Sequence, residues 1–237
     1  MKVLYVFPHP DDESFGPGPV MARQRRQGHE VYLLTLTRGG ATRQRHRLGY
    51  SVAEMGEVRR REMEAMARVY DLSGMTVLDF PDSGLKELDP RELERAVRQE
   101  IERTDPDVVV TYPVHGISGF HDHLVTHAVV KRLHAAAGGS LGVRRLAFNT
   151  LTEETARASP HFPLSHSTPE EIDVRVPVTE GDLEVCRRAL DCYVTFRETI
   201  EKSGIKDLLT PEYAFELFQE SCDPPLDDLF AELPPDS

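Results

Sequence analysis

No run of apolar residues approaches the roughly 20 needed to cross a bilayer, and Met1 leads straight into a strand-like segment without a signal-peptide pattern. No membrane role is therefore expected, and the expected location is cytoplasmic. Cysteine is scarce: Cys186, Cys192 and Cys222 are odd in number and lack paired metal-binding spacing, which argues against a disulfide framework and fits a reducing compartment. Positive charge is in deficit. Lysine and arginine total 28 against 40 acidic residues, for a formal net charge of -12, so a polyphosphate partner is disfavoured and no nucleic-acid role is expected. Two basic stretches, one of Arg43, Arg45, His46 and Arg47 and one of Arg59, Arg60 and Arg61, read as facing solvent, or failing that a small anion. There is no internal repeat, and no Gly-x-Gly-x-x-Gly turn follows the first strand, which argues against dinucleotide binding.

What is present is the rhythm of an α/β chain. With 237 residues, 39% hydrophobic and 29% charged, one domain with an appendage is the expected organisation. Short apolar runs alternate with longer helical patterns, the signature of βαβ units and a mostly parallel, doubly wound, Rossmann-like sheet. Strands are predicted over 2–7, 30–37, 76–79, 108–112 and 145–150, and helices over 19–27, 52–70, 90–103 and 124–136. The core is expected to end near 152 and the appendage to fill 153–237. There the pattern predicts an irregular loop over 159–169 that serves as a lid, a strand over 174–178, a helix over 182–197 and a mobile tail from Asp223.

The chemistry concentrates at two places. His9, Pro10, Asp11, Asp12 and Glu13 follow the first strand at its carboxyl end, where open α/β sheets bind ligands. Three carboxylates beside a histidine repel one another unless a cation or a proton relieves them, and a divalent metal does so. His9 and Asp12 supply an imidazole and a hard oxygen, and Pro10 biases His9 toward an extended conformation. A third ligand is expected from His121, Asp122 and His123, because in sheet order 3-2-1-4-5 the first and fourth strands are neighbours. Three protein ligands leave positions open for water and substrate, as in a catalytic zinc site, and Asp11 stands ready as general base. Taken alone, the acidic loop reads equally well as a helix cap, and His127 reads as a structural histidine.

At these residues the chain resembles the PIG-L/LmbE-like family of zinc-dependent de-N-acetylases. Pro8-His9-Pro10-Asp11-Asp12-Glu13 matches the first family motif, with support from Thr37-Arg38-Gly39-Gly40 and Phe80-Pro81-Asp82-Ser83-Gly84. The resemblance covers roughly residues 1–150. It implies His9, Asp12 and His123 as zinc ligands, although the same donor set accepts iron(II), and Asp11 as base. It implies an N-acetylglucosamine-type small-molecule substrate, such as a bacillithiol precursor, an antibiotic intermediate or a chitooligosaccharide, and assembly as a homo-oligomer. Where the family reads His-Pro-Asp-His, this chain reads Phe120-His121-Asp122-His123. His121 or His115 is then the candidate for the oxyanion-stabilising role, and Asp122 for orienting a neighbouring histidine. Arg38, Asp82 and His115 are the candidate substrate contacts. The rival readings are a sugar-binding module that has lost catalysis and a non-haem iron oxygenase, whose usual β-barrel context this alternating pattern lacks.

Overall fold

The computed structural model describes residues 1–159 and 163–233. Its strands are β1 (Lys2–Phe7), β2 (Glu30–Thr37), β3 (Gly74–Phe80), β4 (Val108–Thr111), β5 (Arg145–Thr150), β6 (Val174–Pro177) and β7 (Glu212–Leu217). Its α-helices are α1 (Asp12–Phe15), α2 (Gly18–Arg26), α3 (Gln44–Leu48), α4 (Val52–Tyr70), α5 (Pro90–Thr104), α6 (His121–Ala137), α7 (Glu153–Ala158), α8 (Glu180–Asp191), α9 (Arg197–Ser203) and α10 (Ile205–Leu208). The strands form one sheet of order β3-β2-β1-β4-β5-β7-β6. The first five are parallel, in the doubly wound order read from the sequence, and β7 and β6 extend them antiparallel beyond β5.

Each face of the sheet carries an apolar layer. Tyr5, Phe7, Leu33 and Val110 point to one side, where they join the buried faces of α2, α4 and α8. Leu4, Val6, Leu34 and Val109 point to the other, against α5 and α6. Burial on both faces explains why the central strands are unbroken apolar runs. Local signals set the helix boundaries. Ser51 and Glu54 close a capping box at the start of α4, and Asp89 caps α5 with Pro90 in its first turn. None of the helices among the described residues is long and apolar enough to cross a membrane.

The C-terminal third departs from the sequence reading in three ways. The helix predicted over 182–197 stops at Asp191 and gives way to a 3-10 turn, Val194–Phe196, before α9. Two buried hydrogen bonds draw the chain out of the helical path there: Tyr193 Oη donates to Glu13 Oε1 at 2.6 Å, and the Thr195 amide donates to Glu62 Oε1 at 2.7 Å. The second departure is β7, which the pattern did not reveal because Glu212 and Glu216 interrupt its apolar residues and Pro211 precedes it. The tail from Asp223, expected to be mobile, is the third. Through Leu233 it is docked, because the Arg145 guanidinium, 1% exposed, needs acceptors and takes the carbonyls of Leu229 (2.7 Å) and Ala231 (2.8 Å) beside the Glu220 carboxylate (2.7 Å). The predicted lid lies partly outside the described residues, at 160–162. Its described end is tied down by Ser165 N donating to Ile117 O at 2.8 Å and Ser167 N to Leu151 O at 3.1 Å.

Replacing Arg145 with Met removes the donor that these carbonyls share. Unfolding in urea is expected to show a loss of roughly 2–4 kcal/mol together with faster proteolysis near the C-terminus. A midpoint equal to that of the parent protein would refute this account of the docked tail.

Candidate metal centre

β1 and β4 are neighbours, with Tyr5 opposite Val110, and the sheet order reverses direction between them. The loops leaving their carboxyl ends therefore enter one crevice. After β1 the chain turns sharply at Asp11, whose φ of 85° lies in the left-handed region that Asp tolerates better than most residues. That turn starts α1 at Asp12 and folds the Asp12 carboxylate back, so that Oδ2 accepts the His9 amide at 2.8 Å.

After β4, helix α6 begins at His121 rather than at the predicted residue 124. Its first turn therefore contains Asp122 and His123, both buried, and an acidic group there is favoured by the helix dipole. The His123 ring stacks on Tyr112, with centroids 4.0 Å apart and planes at 10°. Its Nδ1 lies 2.9 Å from the Gly116 carbonyl, which can only accept, so Nδ1 carries the proton and the Nε2 lone pair is free. Gly116 has φ 64°, and a Cβ there would sit 3.0 Å from the His123 Cβ, so a side chain at this position would push the histidine out of place.

Three donors converge. Asp12 Oδ1 lies 3.5 Å from His123 Nε2, and Asp12 Oδ2 lies 3.5 Å from His9 Nδ1, with one ligand atom from each residue inside a 4.8 Å group. Ligand atoms around a tetrahedral zinc stand about 3.4 Å apart, given metal–ligand distances near 2.1 Å. Two imidazoles and a carboxylate at these separations thus fit a divalent cation. A second cluster of potential ligands pairs His9 with Asp82 and Asp122, but those carboxylates are already engaged. Asp122 accepts the amides of Ser83 (2.8 Å) and Leu85 (3.2 Å), and Asp82 accepts that of Ala41 (2.7 Å). Their remaining capacity faces His9 Nε2, at 3.2 Å from Asp122 and 3.4 Å from Asp82, which orients the ring and fixes its proton on Nε2. Burial disfavours charge on His9, but its hydrogen bonds to Asp12 and Asp122 overcome that and push its pKa up to about 10, so without a cation Nδ1 also holds a proton, facing Asp12, in the place a metal ion would take. Burial likewise works against charge on Asp12, yet His123 and His9 keep its carboxyl well below the usual range.

Asp11 stands apart from these ligands. Its Oδ2 accepts from Arg59 Nη2 at 2.7 Å, and Arg59, 3% exposed, also donates to the Pro10 carbonyl at 2.8 Å and lies over the Phe196 ring, 3.9 Å from its centroid. The guanidinium reaches this position by passing Gly39, whose φ is 62° and where a Cβ would fall 2.3 Å from Arg59 Nη1. Burial lifts the Asp11 carboxyl to about 6 against the pull of Arg59. Behind the loop, Glu13 is fully buried, and burial raises it to about 7 despite hydrogen bonds from Ser14 and Tyr193. Its Oε2 has no partner among the described residues.

The other residues singled out in the sequence are more dispersed. His121 is exposed. His115 accepts the Ile117 amide at Nδ1 (3.1 Å), so its Nε2 carries the proton and points at Thr150 and Ser167, 3.5 Å from each hydroxyl. Arg38 pairs with Asp79 (3.4 Å) and Glu57 (3.8 Å). His127 is a core histidine, with Nδ1 donating to the Tyr112 carbonyl at 2.9 Å. Arg60 and Arg61 do face solvent and pair with Glu57, but Arg59 does not, and its role was missed. The signal was available: Met55, Arg59, Glu62, Met63, Met66 and Tyr70 recur at helical spacing, which puts Arg59 on the buried face of α4.

The family model described as GlcNAc-PI de-N-acetylase (PIG-L) matches residues 4–134. The 1D-myo-inositol 2-acetamido-2-deoxy-alpha-D-glucopyranoside deacetylase of Kineococcus radiotolerans is 33% identical over 170 residues, covering 60% of this chain and 47% of that protein. The N-acetylglucosaminyl-phosphatidylinositol de-N-acetylase of Bos taurus is 28% identical over 139 residues, covering 56% and 51%. The chain thus spans about half the length of the curated relatives it matches. Among solved structures, a deacetylase of teicoplanin biosynthesis superposes with a TM-score of 0.71 at 16% identity, covering 93% of this chain and all of that one. A 4-carboxy-2-hydroxymuconate hydratase of Pseudomonas putida superposes at 0.64 with 17% identity, covering 91% and 94%. At such identities the superpositions establish the fold alone, whereas the family model spans more than half of the sequence and includes His9, Asp12 and His123: the chain belongs to the GlcNAc-PI de-N-acetylase (PIG-L) family.

Proposed function

We propose that the protein is a zinc-dependent de-N-acetylase acting on a small N-acetylglucosamine-type molecule, with His9, Asp12 and His123 as metal ligands. The observation that carries this reading is the division of labour between adjacent aspartates. Asp12 faces two imidazoles, while Asp11 is held by the Arg59 guanidinium. His9, Asp12 and His123 would hold a zinc ion, which would supply Lewis acidity toward the acetamide carbonyl and toward water.

The remaining steps belong to the chain's own groups. Asp11, raised toward neutrality by burial, takes a proton from the attacking water at one carboxylate oxygen while Arg59 holds the other in place. The same proton is then returned to the departing amine nitrogen, leaving acetate and a free amino sugar. Asp122, joined by Asp82, keeps His9 in the tautomer that presents Nδ1 to the metal. Since His121 is exposed and His115 directs its Nε2–H at two hydroxyls, neither is assigned the oxyanion-stabilising role. Arg38 and His115 remain the proposed contacts to sugar substituents. The chain is further proposed to assemble as a homo-oligomer, which a sedimentation measurement checks.

The decisive experiment is release of free amine from a panel of N-acetylglucosamine conjugates. Release is expected to stop on chelation and to return with zinc; release that persists in chelator would remove the metal from the reaction. Asp11→Asn is expected to lower kcat by about 10²–10⁴ with zinc content unchanged by elemental analysis, and near-parental turnover would take Asp11 out of the base role. For Asp122→Ala the expected effect is a 10- to 100-fold weaker zinc affinity, roughly as found for partners of metal-bound histidines. Parental affinity in that variant would show that Asp122 does not position His9.

A further inference from the structure

Among the described residues the exposed large apolar side chains are Met1, Tyr50, Val52, Val114, Phe120 and Val194. They are not scattered. Tyr50 and Val52 lie on the connection that leaves the carboxyl end of β2, and Val114 and Phe120 on the one that leaves β4. Val194 opens the turn whose Phe196 lies under Arg59, the partner of Asp11. All but Met1 therefore belong to segments around the crevice that holds the candidate metal centre.

Phe120 is the most telling of them. It occupies the N-cap of α6 and makes no side-chain cap, although Ser, Thr, Asp or Asn at that position would satisfy a helix amide and a phenyl ring cannot. It is also 58% exposed, so the ring contributes neither a cap nor core packing. A residue that breaks two local rules at once, beside a reactive centre, is best explained by what it contacts outside the chain. The ring stands edge-on to His123, with centroids 5.5 Å apart, and Val114, 64% exposed, rises from the same loop. That loop is fixed from below: Gly116 O accepts from His123, Ile117 N donates to His115 and Ile117 O accepts from Ser165. The two apolar side chains are thus held out on a braced loop.

We propose that Phe120 and Val114 form a platform for an apolar aglycone, aromatic or aliphatic, carried by the amino-sugar substrate. This rests on the amino-sugar reading given above and deepens it from the sugar to its substituent. The separation of Phe120 from His123 selects the occupant. A group lying on the ring is one side chain away from His123, which is the scale of a substituent on a small molecule held there. Aromatic edges and apolar sugar faces also pack favourably on a phenyl ring. A strongly polar aglycone such as a polyol gains nothing there, so the platform discriminates by substituent polarity.

The test uses the zinc-loaded full chain and calorimetric affinities for two glycosides of glucosamine, phenyl and methyl, which carry the same free amine and need no turnover. The parent protein is expected to bind the phenyl glycoside about tenfold more tightly. Phe120→Ala should reduce that ratio to about threefold or less, Phe120→Trp should retain it, and Val114→Ser should lower it if Phe120→Ala fails to fold. Equal affinity for the two glycosides in the parent, or an undiminished ratio in both Phe120→Ala and Val114→Ser, overturns the platform. So does sedimentation showing that the parent self-associates and that Phe120→Asp abolishes this, since a second copy would then be the occupant. Turnover of the two N-acetylated glycosides separates the two readings. Hydrolysis without preference retains the deacetylase and rejects the platform, and a binding preference without hydrolysis of either does the reverse.

Discussion

The site depends on the balance of charge around a crowd of buried acids. Asp11, Asp12, Asp82 and Asp122 gather about His9 and His123, each of them little exposed, and four carboxylates so close repel one another unless positive charge or donated hydrogen bonds compensate. Arg59 compensates Asp11, and the backbone amides of Ala41, Ser83 and Leu85 serve Asp82 and Asp122. Asp12 is left with imidazoles on both sides. A divalent cation fits this balance, and two local features make the arrangement possible. The αL turn at Asp11 separates two neighbouring aspartates, and the early start of α6 brings Asp122 and His123 into one helical turn.

Much of this was legible in the sequence, because the relevant signals are local. Strand ends set by apolar runs bounded by polar residues located β1, β2 and β5 without error, and the strand order then brought the two histidine-bearing loops together. The start of α6 was misjudged by three residues because His121, Asp122 and His123 carry no apolar helical pattern of their own. Only the tertiary hydrogen bonds of Asp122 to Ser83 and Leu85 show why the helix begins there. The break after Asp191 was illegible for the same reason: its cause is Glu13 and Glu62, far away in sequence, pulling on Tyr193 and Thr195. Arg59 failed differently. Its helical register marked it as buried, but a run of three arginines suggested a solvated face, and composition outweighed periodicity.

The comparisons limit how far fold carries function. A deacetylase and a hydratase superpose on this chain almost equally well, so the sheet order alone does not choose between amide hydrolysis and addition of water to a double bond. What separates such chemistries is the set of side chains at the carboxyl ends of the strands. In this chain those are two imidazoles and a carboxylate that converge, an independently held carboxylate and an exposed apolar rim.

Arg145 stands at the amino end of β5 but finds its acceptors in residues near the end of the described chain. During synthesis the five parallel strands emerge well before those acceptors do. Until Leu229 and Ala231 leave the ribosome, a guanidinium destined for the interior has no carbonyls to satisfy it, and the far half of the sheet cannot settle. The nascent chain can therefore assemble the crevice at the carboxyl ends of β1 and β4 before residues 229–231 are made, whereas the opposite end of β5 is sealed only after them.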